Sequence, residues 1–162
     1  MGVLGLLIVL HASCVPAPGL APLEVELHAL LGSDSTQHPR AYSSRLCSLQ
    51  RRYVRLQLSQ DRDVVHQALM GEGRLLAHLA RLQRAAPLPR RLSDEQRAIY
   101  LAELHRTAAS TLRRAVVKLN GAVELSRVAG LEGPCADSAD ILAQNARTQL
   151  DSLFEVVREL GR

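Results

Sequence analysis

The chain has 162 residues, a formal net charge of +4, 47% apolar residues and 22% charged ones. Leu (30) and Ala (21) dominate, Val, Ile and Thr total 20, and the only aromatics are Tyr42, Tyr53, Tyr100 and Phe154. Good helix formers with so few β-branched and aromatic residues all but exclude a β-sandwich or barrel. They also argue against a base-stacking surface, so no nucleic-acid partner is expected.

Residues 2–10, GVLGLLIVL, are uninterruptedly apolar and no charged side chain precedes Glu24. That is the length of a secretory leader and too short to span a bilayer. Small residues at −3 and −1 permit cleavage after Cys14 or after Gly19, and no later segment has the length of a transmembrane helix. The expected organisation is a signal peptide over 1–19, a short helix and linker over 20–40, and a helical bundle over 41–162. Removing the leader with Cys14 leaves Cys47 and Cys135. An even pair in an oxidising compartment reads as one disulfide.

Leu20, Leu23, Leu27, Leu30 and Leu31 recur at helical spacing. With Pro22 in the first turn and Gly32 at the C-cap they predict a short helix over 22–31. The polar run GSDSTQHPR, 32–40, reads as a linker. From Ala41 to Ala86 no proline occurs; Leu46, Leu49, Tyr53 and Leu56 form one stripe, and Val65, Leu69, Leu76, Leu79 and Leu82 another. Between them QLSQDRD, 57–63, is polar and offers Ser59 or Asp61 as an N-cap, while Gly71 and Gly73 weaken the middle. One helix kinked near residue 60 is slightly favoured over two. PLPRR, 87–91, then stops the chain. Ser93 and Gln96 form a capping box, with Asp94 and Glu95 at the positive helix end, for a helix reaching about Ala129. Gly130, Gly133 and Pro134 end it, and Asp137 or Ser138 is the expected cap of a last helix over 138–160.

The fold class is therefore all-α: an antiparallel bundle of three long helices plus a short N-terminal one, with four bundle helices if 41–86 splits. The two forms differ in a checkable way. A single rod brings Cys47 and Cys135 to the same end, whereas a split rod puts them at opposite ends.

Catalytic motifs are missing: no GxSxG, Walker A, GxGxxG, CxxC or HExxH occurs. No enzyme, cofactor or metal is expected. Charge is more informative. Residues 40–92 hold eleven Arg against Asp61, Asp63 and Glu72, whereas residues 93–162 are close to neutral. Arg51, Arg52, Arg55, Arg62, Arg81, Arg84, Arg90 and Arg91 are the candidate partner contacts. Such a surface suits an acidic receptor face or another extracellular protein, heparan sulfate or anionic lipid. Two functions follow: a secreted helical ligand, or an apolipoprotein-like binder whose amphipathic helices open onto lipid.

RRLSDEQR, 90–97, opens a long amphipathic helix after a proline-containing turn. Through Leu92, Ser93, Asp94 and Arg97 it resembles the start of an inner helix in long-chain four-helix cytokines. The resemblance implies a secreted ligand that acts by binding a cell-surface receptor.

Overall fold

A computed structural model describes residues 14–17, 19–33 and 39–160. The described residues form five helices and no strand: α1 (Ala21–Gly32), α2 (Pro39–Leu56), α3 (Arg62–Arg84), α4 (Asp94–Ala129) and α5 (Pro134–Leu160). No described helix is long and apolar enough to cross a membrane. The apolar run 2–10 lies outside the described residues.

The chain divides near residue 60 into two helices rather than kinking within one. The backbone N–H groups of Leu58 and Ser59 bond to the carbonyls of Arg55 and Leu56, three residues back, and this tighter pattern closes α2. Asp61 Oδ1 then accepts from the N–H groups of Asp63 (2.9 Å) and Val64 (3.4 Å) and starts α3. Tyr42 of α2 meets His78, and Tyr53 lies against Gly71, so α2 and α3 run in opposite directions. The capping box at α4 forms as the sequence implies, with Ser93 Oγ accepting from Gln96 N at 3.2 Å and Gln96 Oε1 from Ser93 N at 3.0 Å. Gly130, at φ 64°, ends α4 in the left-handed conformation open to glycine. The last helix starts a turn early: Pro134 is its first residue, and Ser138 Oγ bonds the Pro134 carbonyl at 2.6 Å instead of capping.

α3 is the central helix, because it is needed on two sides. Leu76 and Ala80 join Leu112, Leu119, Ala146, Leu150 and Leu153 in a core shared with α4 and α5. Ala68 and Leu75 face the other way, into a second cluster with Leu23, Leu27 and Leu30 of α1 and Leu49 and Tyr53 of α2. Each fully buried Leu contributes roughly 1.5–3 kcal/mol. Gly71 and Gly73 do not interrupt this helix. They let its neighbours approach: a Cβ at Gly71 would overlap the Tyr53 ring, and one at Gly73 would sit 2.6 Å from Leu119 Cγ. α4, at 36 residues about 54 Å long, outruns both partners. Its residues 113 and 120 lie level with 154 and 147 of α5, so its first turns project past the bundle, and Asp94–Tyr100 are all exposed.

The expected Cys47–Cys135 disulfide is not formed. Cys135 pairs with Cys14 across a Cα separation of 4.8 Å, and Cys47 is a free, exposed thiol. The split of α2 from α3 is the reason. Cys47 sits midway along α2, level with the second half of α3, on the side facing away from the core, whereas Cys135 lies beside Gln67 near the start of α3. The bond closes a span of 121 residues, for which the chain-entropy treatment gives about 5 kcal/mol. Gln67 reinforces it, donating to the Val15 carbonyl (3.2 Å) and accepting from Ala17 N (2.7 Å). Ala17 and Leu20 are buried in the cluster formed by α1, α2 and one side of α3.

Candidate partner-binding face

α2 is the most one-sidedly charged element. Its 18 residues carry Arg40, Arg45, Arg51, Arg52 and Arg55 and no acid. Because Tyr42, Leu46, Leu49 and Tyr53 point into the core, the opposite side of the cylinder presents Arg40, Arg51 and Arg55, with Ser44, Cys47 and Ser48 between them. Arg40, Arg45, Arg51 and Arg55 are exposed, and none forms an ion pair among the described residues.

The eight predicted contacts do not form one surface. Arg51 and Arg55 lie on the outward face of α2. Arg52, one residue earlier than buried Tyr53, turns towards α1 and pairs with Glu26. Arg62 is exposed at the first residue of α3. Arg81 donates to His78 Nδ1 at 2.9 Å, and Arg84, Arg90 and Arg91 are exposed around the turn at the far end of α3. Arg74, part of the same basic surplus, is spent internally on Glu24 at 2.7 Å. Arg40 completes the outward face of α2, and Arg45 is exposed on its flank. Projecting the Tyr42-to-Tyr53 stripe and reading its opposite side identifies Arg40, but only folding separates Arg52 from its neighbours.

Two polar networks fasten α2 behind this face. Glu72, between the two close-approach glycines, is 1% exposed. It accepts from Gln57 Nε2 (2.6 Å), Gln50 Nε2 (3.3 Å) and Lys118 Nζ (2.9 Å). Burial raises its pKa, but these hydrogen bonds and the Lys118 charge outweigh burial and hold the carboxyl below its ordinary value. The second network runs from α3 to α1. Arg81 donates to His78 Nδ1, so the His78 proton sits on Nε2, facing the Tyr42 hydroxyl, which itself donates to the Leu30 carbonyl at 3.2 Å. Burial, aided by Arg81, lowers the His78 pKa to about 4. Tyr53 donates to Glu24 Oε1 at 3.0 Å, and burial foremost, with Glu24 adding to it, raises its pKa.

A half-open cleft of about 560 Å³ separates α1 from α3 near Cys14. Pro16, Ala21, Val25 and Met70 give it apolar walls, and the Glu24–Arg74 pair closes one side. Among the described residues, no three His, Cys, Asp or Glu side chains converge as a metal site. No protein family, curated protein or solved structure matches the chain.

Proposed function

We propose that this chain is a secreted helical-bundle ligand, cytokine- or growth-factor-like, which acts without catalysis by presenting a helix face to a cell-surface receptor. The observation that carries the reading is the outward side of α2, where exposed Arg40, Arg51 and Arg55 stand on a helix without a single acid. Arginine suits this role, since its planar fork binds carboxylates or sulfates in a bidentate manner. The Cys14–Cys135 bond is compatible with an oxidising compartment. A leader that spares this bond ends before Cys14.

Expression from a secreting cell tests the reading. The protein is expected in the medium with the Cys14 and Cys135 peptides linked, and it should bind intact cells saturably. Retention in the cytosol with three reduced thiols contradicts it.

A lipid-surface binder is the second reading, favoured by the division of the core. The apolar faces of α1 and α2 pack on one side of α3 in a cluster separate from the core that α3 shares with α4 and α5, and the polar 57–61 turn supplies a place to open. Flotation of the protein with anionic liposomes, accompanied by a gain of helix, supports that reading over the first.

A further inference from the structure

α2 and α5 sit at opposite ends of the packing order. α2 touches α1 and α3, α5 touches α4 and part of α3, and the two do not meet. Their charges are opposite: α2 has five Arg and no acid, whereas α5 has Asp137, Asp140, Asp151, Glu155 and Glu159 against Arg147 and Arg158. Burial of Ala139, Leu142, Ala146, Leu150 and Leu153 turns Asp140, Asp151 and Glu155 outward, as burial on α2 does for Arg40, Arg51 and Arg55. All six charged residues are exposed, and none is ion-paired among the described residues.

The spacings coincide. Arg40, Arg51 and Arg55 are separated by eleven and four residues, and so are Asp140, Asp151 and Glu155. Eleven residues is close to three helical turns and four close to one, so each trio lines up along its helix at intervals of about 16 and 6 Å. Two such helices laid side by side and parallel place Arg40 opposite Asp140, Arg51 opposite Asp151 and Arg55 opposite Glu155 together. One chain cannot do this with itself. Successive bundle helices alternate in direction, so α5 runs opposite to α2, and α3 and α4 stand between them. A second copy turned end for end meets the requirement, because its α2 then runs parallel to the first copy's α5.

We propose that this protein self-associates by docking the basic face of α2 in one copy on the acidic face of α5 in another. Because the two faces lie at opposite edges of the molecule, each engages a different neighbour and the contact propagates as an open chain. The contact is made of exposed ion pairs, so it is weak and yields to salt. It also covers Arg51 and Arg55, so a receptor for that face competes with self-association. The proposal uses part of the same face as the receptor reading but does not depend on it.

Sedimentation velocity of the disulfide-bonded protein, at about 0.01 M and about 1 M ionic strength, tests it. The wild type should show concentration-dependent association at low salt that disappears at high salt. Arg40→Glu/Arg51→Glu/Arg55→Glu and Asp140→Arg/Asp151→Arg/Glu155→Arg should each be monomeric alone, yet associate when mixed, since the reversed faces now complement one another. Asp140→Asn/Asp151→Asn/Glu155→Gln, a milder change to the same positions, should be monomeric with unchanged helix content. A monomeric wild type at low salt, a monomeric mixture, or wild-type association in the neutralised α5 variant overturns the proposal. So does binding of heparin by a wild type that stays monomeric on its own. Unchanged cell binding by the α5 variants leaves the receptor reading standing whichever way self-association falls.

Discussion

Two positions on α3, Gly71 and His78, show how residue-scale geometry sets stability, and at Gly71 it reverses an expectation drawn from propensity. In a bare helix Gly71→Ala is favourable by about 1 kcal/mol. Here the added methyl meets a Tyr53 ring that is fully buried and tied by its hydroxyl to Glu24. Overpacking of that kind costs about 1–3 kcal/mol. Gly71→Ala should therefore lower the urea midpoint, whereas a raised midpoint would show that Tyr53 moves freely. His78 makes the second case. Its folded pKa of about 4 lies below the ordinary value of 6.5. Between those pH values the unfolded chain holds a proton that the folded chain excludes, so stability falls as pH drops through the window, by about 3 kcal/mol at its foot. His66, buried with Nε2 unpartnered, shifts the same way and adds to the slope. Denaturation of His78→Asn across this range should give a flatter curve than wild type; an equal slope would place the acid sensitivity elsewhere.

At the scale of elements, the sequence marked two helix starts correctly and missed that of α5. Asp61 and the Ser93–Gln96 box cap where hydrogen-bonding chemistry says they should. It was less informative about the 41–86 rod, because stripe continuity and a polar interruption carry comparable weight until tertiary contacts choose between them. Gly71 and Gly73 looked like weak points for the same reason: the need for close approach is visible only when Tyr53 and Leu119 are in place. Glu72 was hidden too, since its partners Gln50, Gln57 and Lys118 come from three other parts of the chain. The disulfide follows from these outcomes. A split rod keeps Cys47 away from Cys135, while Gln67 holds the 14–17 segment beside the start of α5. Cys14→Ser should lower the melting temperature and lose the protection of the Ala17 and Leu20 amides from hydrogen exchange. Cys47→Ser, at an exposed position outside the core, should change stability by less than about 0.5 kcal/mol. The reverse ranking would argue for the Cys47–Cys135 pairing.

For the whole molecule, a net charge of +4 conceals a separation. The acid-free α2 stands at one edge and the predominantly acidic α5 at the other, with two apolar core clusters between them. α1 offsets part of the basic edge, since Glu24 and Glu26 engage Arg74 and Arg52. What remains outward is the face of Arg40, Arg51 and Arg55, held by the Glu72 and His78 networks behind it. Equilibrium binding of Arg51→Glu/Arg55→Glu to intact cells, beside the wild type and with helix content matched, tests the ligand account most directly. Each 1.4 kcal/mol lost is tenfold in affinity, so reversing two interfacial charges should weaken binding at least about tenfold. Binding equal to wild type would contradict the account.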